Sequence, residues 1–400
     1  MISSRLTRLF SVFTAALVVA TLGCREDAES PTAPEPGPPL ATTASIALSF
    51  RQVSAAALHT CGVTTGDRAY CWGYNVYGRL GDGTTTQQLT PVAVAGTLRF
   101  RRVSAGYGHS CGLTTGDRIY CWGRNAHGQL GNGTFRDQLK PVAVAGGLQF
   151  RDVSAGRYHT CGVTLNDRAY CWGRNDEGRL GDGTTDIERP EPVAVTGGLR
   201  FRQVSAGSDH TCGVTTANRA YCWGFNAYGQ LGQAVSVSYT PVPVASLRSF
   251  SRVTAGYDFT CAVSTDNRAF CWGNGRWGQI GDGKDFLRFT PRAVAGGLLF
   301  RGVSAGGSHT CGVTTDDRAY CWGRNLEGQL GDGSASGYQS LKPVAVTGGY
   351  QFRQVDAGGG HTCGVTLNDR AYCWGGNQFG NLGDGTTTKQ FTPVAVAGPM

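Results

Sequence analysis

Beyond Leu22 the 400-residue chain has no long apolar run, and nowhere does it show the 3.6-residue periodicity of an amphipathic helix. The one apolar run, Leu9–Leu22, is too short and too early for a membrane span. No basic run is present. The formal charge of +8 falls to +6 once a leader carrying Arg5 and Arg8 is removed, so nucleic acid is not an expected partner. A nucleophile elbow, a paired-carboxylate motif and a phosphate-binding loop are missing, and no enzymatic activity is expected. Methionine is nearly absent, with two residues, whereas glycine (61) and cysteine (15) are abundant. Fifteen cysteines without a clear metal motif point to an oxidising compartment.

The N-terminus agrees with export. Residues 1–23 read as a signal peptide: Arg5 and Arg8, the apolar run, then small residues. The segment "ATLGC" resembles a bacterial lipobox, with Cys24 as the lipidated first residue of the mature chain; Thr21 stands where Leu is usual, and ordinary signal cleavage is the alternative. Residues 24–45 form a Pro-rich tether that cannot build a core. The expected location is therefore extracytoplasmic, lipid-anchored in the cell envelope.

The segment "HTCGVTTDDRAYCWG" (His309–Gly323) recurs seven times. Its cysteines pair by position as Cys61 and Cys71, Cys111 and Cys121, Cys161 and Cys171, Cys212 and Cys222, Cys261 and Cys271, Cys311 and Cys321, and Cys363 and Cys373. First-cysteine spacings are 50, 50, 51, 49, 50 and 52. Each repeat offers four short alternating segments: A ("FRGVSAG"), B ("HTCGVT"), C ("RAYCWG") and D ("KPVAV", opened by Pro343), with a Gly/Asn/Asp-rich loop before D. Four antiparallel strands per fifty residues make a propeller blade, so residues 46–400 read as an all-β, seven-bladed β-propeller.

A B–C turn centred on Asp316 places Val313 opposite Ala319 and Cys311 opposite Cys321. Such a pair lies within disulfide range. Seven intra-blade disulfides are expected, each worth about 2–3 kcal/mol on the loop-entropy argument. A zinc-like Cys/Cys/His cluster is the alternative, because His309 shares the cysteine face. Phe259 replaces the histidine in the fifth repeat while Cys261 and Cys271 remain, which favours disulfides and no metal. The six histidines (His59, His109, His159, His210, His309, His361) then read as structural hydrogen bonders. Trp72, Trp122, Trp172, Trp223, Trp272, Trp322 and Trp374 lie opposite the cysteines and should pack on the neighbouring blade.

The frame carried by "SHTCGVTTDDRAYCWGRNLEGQLGDG" (Ser308–Gly333) resembles the regulator of chromosome condensation repeat, from Phe50 to about Val396. The resemblance implies a seven-bladed propeller, here as an exported version with cysteines in place of plain small or apolar residues. The family's founding member is a nuclear exchange factor that uses an inserted loop as a wedge; no repeat here is long enough to hold one. Ring closure is expected to involve the last segment, "TPVAVAG" (Thr392–Gly398), completing the blade that holds Phe50–Trp72.

Strand direction puts the A–B and C–D loops on one face and the B–C turns on the other. The B–C turns barely change between repeats, while the A–B tips and C–D loops vary and are rich in Tyr, Trp, Phe and Arg. Candidate partner-binding residues are Tyr77, Tyr107, Arg157, Tyr158, Tyr228, Tyr257 and Trp277. The expected function is a lipid-anchored scaffold, monomeric and without cofactor, that presents this face to an extracytoplasmic protein. One alternative is a propeller hydrolase or lyase acting on an envelope glycan, with Asp209, His210 or Asp258 as candidates. The other is exchange-factor-like activity by family analogy. Calcium at the "GDGT" loops (Asp82, Asp182, Asp282) is less economical than tight-turn chemistry.

Overall fold

The computed structural model of the chain describes residues 48–335 and 337–398. The expected leader and tether, Cys24 included, lie outside the described residues. Seven four-stranded antiparallel sheets follow one another, each built from four consecutive strands. The A strands run from Phe50–Ala55 in blade 1 to Phe352–Ala357 in blade 7, and the B strands from His59–Thr64 to His361–Thr366. The C strands run from Ala69–Gly73 to Ala371–Gly375, and the D strands from Gln88–Ala93 to Gln390–Ala395. A strands line a central channel and D strands are outermost.

The B–C hairpin explains its own monotony. Its third turn residue is Asp67, Asp117, Asp167, Asn218, Asn267, Asp317 or Asp369, each with φ between 61° and 67°. Among residues with a side chain, Asp and Asn tolerate this left-handed conformation best, and a three-residue hairpin loop requires it. The turn fixes the register, and all seven cysteine pairs are directly opposed, as in Cys61↔Cys71 and Cys311↔Cys321. All seven are disulfide-bonded. Cys61 is joined to Cys71, Cys111 to Cys121, Cys161 to Cys171 and Cys212 to Cys222. Cys261 is joined to Cys271, Cys311 to Cys321 and Cys363 to Cys373. The Cα–Cα distances are 4.0–4.1 Å, so the expected pairing holds in every blade and leaves none of these sulfurs free for a metal.

The core sits between blades. Cys61–Cys71, Val63, Ala69 and Leu80 of blade 1 pack on Phe100, Val103 and Trp122 of blade 2. The tryptophans are fully buried and face the preceding blade, as their register opposite the cysteines requires. Gly131 takes φ +71° beside Trp172, where a β-carbon would lie 2.6 Å from the indole Nε1.

Two rings of polar latches join the blades. In the outer ring, the Gln129 carbonyl accepts from Thr160 Oγ1 (2.8 Å) and from Trp172 Nε1 (3.0 Å). The threonine hydroxyl proton is thereby used, so its lone pair accepts from His109 Nε2–H at 2.8 Å. That fixes the tautomer: His109 carries its proton on Nε2, and its buried Nδ1 makes no hydrogen bond. The other five histidines repeat this arrangement, and His361 reaches Thr60 of blade 1 at 2.8 Å. In the inner ring, Ser104 Oγ accepts from Ala155 N (2.9 Å), and the buried Asp356 carboxylate does the same for Ala55 N (2.8 Å).

Ring closure corrects one expectation. Strand Gln390–Ala395 pairs with Ala371–Gly375 of its own blade, and blade 1 takes its D strand from Gln88–Ala93. No strand is exchanged between the ends. The repeat boundary falls before strand A, so blades 7 and 1 meet as any other pair. Cys363–Cys373, Val365 and Leu382 pack on Phe50, Val53 and Trp72, and Trp72 Nε1 donates to the Asn381 carbonyl at 3.1 Å. Closure is by side chains because this interface matches the other six.

Candidate functional site

The A–B and C–D loops share one face. Arg124 N donates to the Gly108 carbonyl (2.9 Å), and Arg174 N to the Tyr158 carbonyl (3.0 Å), which ties each C–D loop to the tip beside it. The tips are linked to each other as well. Tyr107 N reaches Gly156 O (3.1 Å), Arg157 N reaches Gly207 O (3.1 Å), and Tyr257 N reaches Gly306 O (3.2 Å). Variable side chains therefore project from a hydrogen-bonded collar around the channel mouth.

Four of the seven candidate residues meet in one cluster over blades 1 to 3. Tyr107 and Tyr158 lie 6.2 Å apart between ring centroids. The Arg157 guanidinium sits 5.3 Å from the Tyr107 ring and 4.9 Å from the Tyr158 ring. Arg124 bridges Tyr77 (5.3 Å) and Tyr158 (5.8 Å), and His127 stacks edge-on to Tyr158 at 5.2 Å. Tyr77 is 39% exposed and adopts φ 72°, a left-handed conformation unusual for an aromatic residue. Alternating rings and guanidinium groups give a stiff platform with few free rotamers.

The other three make no ring contact with this cluster, although Tyr257 lies near enough to feel the charge of Arg157. Tyr257 lies across the mouth, and its ring and hydroxyl fill the space over Gly307 and Gly359. Burial pushes its phenol up to about 12. Tyr228 pairs with Phe225 at 6.3 Å in blade 4. Trp277, 38% exposed, carries Arg324 at 5.2 Å. Beneath the mouth is a cavity of about 320 Å³ lined by Ser54, Ser104, Ser154, Gln203, Thr254 and Asp356, with the inner latches in its wall.

Two further arginines belong to this face, and the sequence reading does not single them out. Arg79 and Arg179, 2% and 1% exposed, occupy the loop position that holds Gln129, Gln230, Gln279, Gln329 or Asn381 elsewhere. That departure from the repeat is the signal available in the letters. Arg79 Nη1 donates to the Tyr107 carbonyl at 3.0 Å and holds the Tyr107 tip. Arg179 pairs with Asp176 and Asp209, each at 2.6 Å.

Two of the three side chains weighed for catalysis, His210 and Asp209, are committed to structural contacts. His210 Nε2 is bonded to Thr260 Oγ1 (2.8 Å), and burial lowers the ring to about 4. Asp209 faces Arg179, and burial with the charge of Asp209 raises the Asp258 carboxyl. The "GDGT" carboxylates turn inward, as Asp82 Oδ1 accepts from Thr84 N (2.9 Å) and Asn75 Nδ2 (3.2 Å). Among the described residues, no group of three or more His, Cys, Asp or Glu is placed to hold a metal ion.

Family models match most of the chain. The RCC1-like domain covers residues 145–400, and the Regulator of chromosome condensation (RCC1) repeat matches residues 67–113 and 117–163, with a second form at 50–79 and 100–129. No curated protein matches the sequence. Solved structures of the same fold include human WBSCR16, at 22% identity and TM-score 0.75, covering 84% of this chain and 95% of that one. Prp20p from Saccharomyces cerevisiae, described with its binding to Gsp1p and histones, is 21% identical with TM-score 0.75, covering 87% of each chain. The CRINKLY WD40 ectodomain of the Arabidopsis thaliana receptor kinase ACR4 is 20% identical with TM-score 0.54, covering 88% of this chain and 100% of that one.

Proposed function

Because the chain belongs to the regulator of chromosome condensation repeat family, we propose that it is a protein-binding scaffold, exported and anchored through Cys24, whose variable propeller face holds an extracytoplasmic protein. The observation that carries this reading is the cluster of Tyr77, Tyr107, Arg157 and Tyr158 on a collar of backbone hydrogen bonds. Its support is threefold. The fold is one that, in Prp20p, is described with protein partners. The seven disulfides suit an oxidising compartment. The rigid aromatic and arginine side chains are the kind that dominate interface energetics. Catalysis is not part of the proposal, since His210 is committed to a blade latch and Asp209 to an ion pair.

The test is affinity capture from envelope extracts with the wild-type chain and with Tyr77→Ala, Arg157→Ala, Tyr158→Ala and Trp277→Ala combined. The variant should keep its circular dichroism and its oxidised cysteines and lose the captured protein. Equal recovery by both chains would reject the face assignment.

A further inference from the structure

The sequence spreads its charge one or two residues per repeat, and the fold gathers it. The B–C turns, the D–A connections and the first two residues of each A strand lie together, opposite the variable face. Phe100 N donates to the Asp67 carbonyl (2.8 Å), and Arg99 Nη1 to the Gly66 carbonyl (2.9 Å). Over seven blades these segments hold sixteen arginines against seven carboxylates, a net of +9. The remaining described residues hold seventeen basic and seventeen acidic side chains, a net of zero. The whole net charge of the propeller therefore sits on its invariant face. Five of the seven carboxylates pair with A-strand arginines, such as Asp117 with Arg101 at 2.6 Å, and the other two, Asp266 and Asp316, pair with the turn arginines Arg268 (3.6 Å) and Arg318 (3.8 Å) at the surface. Arg268 and Arg318 have side chains 65% and 67% exposed.

The same face carries projecting leucines: Leu165, Leu247, Leu299 and Leu367 are 49%, 96%, 44% and 45% exposed. Nucleic acid would gain from the arginines alone. An anionic bilayer gains from both, since guanidinium groups meet headgroup phosphates while leucines reach the acyl boundary. The chain also enters the propeller here, as Ser49 O accepts from Thr65 N of a B–C turn at 2.9 Å. An anchor at Cys24 would precede this face in the chain, with residues 25–47 between them.

We propose that the invariant face docks on an anionic phospholipid surface and so turns the variable face away from the membrane. The proposal rests on the envelope location put forward above. Its test does not need the lipid anchor. The full mature chain carrying Cys24→Ser is sedimented with phosphatidylcholine vesicles, with and without about 30 mol% phosphatidylglycerol. Binding is expected only to the anionic vesicles and should weaken steeply with salt. Combining Arg118→Glu, Arg168→Glu, Arg219→Glu, Arg268→Glu and Arg318→Glu should cut binding by about 100-fold or more. The matching Arg→Gln set, expected to weaken it less, guards against misfolding of the charge-reversed chain. Leu247→Asp should weaken binding roughly fivefold, and the variable-face variant should bind like wild type. No preference for phosphatidylglycerol, undiminished binding by the charge-reversed chain, or equally tight binding of a DNA duplex would overturn it. Failure of acylation at Cys24 in cells would overturn the anchor alone and leave this result standing.

Discussion

Acid should unfold this protein through its blade latches, one histidine at a time in number but together in effect. Six histidines are fully buried, and burial holds each ring well below its usual range, to about 3 for His109, His309 and His361. The cause is structural: Nε2–H donates to a hydroxyl of the next blade, Nδ1 is buried, and no carboxylate is hydrogen-bonded to the ring. An unfolded histidine takes up a proton near pH 6.5, whereas the folded rings do so only well below that, near 3 for His109, His309 and His361 and near 4 for His210. Stability is therefore whole above about pH 6.5 and is lost as the pH falls towards 3. Each histidine contributes up to about 1.4 kcal/mol per pH unit between its unfolded and folded values. Buried Asp152 and Asp356, whose carboxyls are raised by burial, run the other way and reduce this slope in the range above the usual carboxylate value.

The repeat supplies its own control, since Phe259 already replaces the histidine in blade 5. His309→Phe should cost about 1–2 kcal/mol at neutral pH through the lost bond to Thr362. It should also lower the pH slope by about 1.4 kcal/mol per unit, so that wild type and variant cross about one unit below pH 6.5. Urea unfolding from pH 7.5 to 5 measures both quantities. A free energy flat over that range, or an unchanged slope in His309→Phe, would refute the argument.

Further outcomes follow from the same geometry. Mass spectrometry of the unreduced, denatured chain should find seven cysteine pairs, each ten residues apart in sequence, and no alkylated thiol among the fourteen. Cys321→Ser with Cys311→Ser should lower thermal stability by about 2–3 kcal/mol without disturbing the other six disulfides, as peptide mapping would show. Gly131→Ala should be far costlier than an exposed Gly→Ala change, at about 3 kcal/mol or more. Its methyl meets the Trp172 ring at a positive φ, and thermal melts measure the loss. Arg179→Gln, which installs the residue found at four equivalent positions, should fold well yet free Asp176 and Asp209; titration with the captured partner should show weaker binding at near-wild-type stability.

Much of the fold is legible because the repeat states it seven times. Centring the turn on Asp316 gives the register, and Cys311 opposite Cys321 follows from counting. The same count carries over to Cys111 with Cys121, Cys161 with Cys171 and Cys212 with Cys222. The side on which Trp322 packs follows from the same alternation. The end of the ring is less legible, because the missing Pro-Val segment before Phe50 suggests an exchanged strand. Only the pairing of Gln390 with Gly375 shows that each blade is contiguous. In the candidate site, strand direction puts Tyr107 and Tyr158 on one face, but nothing in the letters says that Arg157 spans them or that Tyr257 crosses the mouth. Those contacts depend on blade-to-blade distance, which comes from ring closure. The basic face is hidden for a related reason. Sixteen arginines spaced along some 320 residues make no run, and only the stacking of turns at one end of the ring brings them together.

The division of labour between the two faces is open to direct observation in the cell. A photo-crosslinking amino acid is placed at Tyr158 on the variable face, or at Thr315 in a B–C turn on the other, in the oxidised protein as it is made in cells. The account predicts a discrete protein adduct from position 158 and none from 315. Protein adducts from 315 alone, or equal yields from both positions, would contradict it.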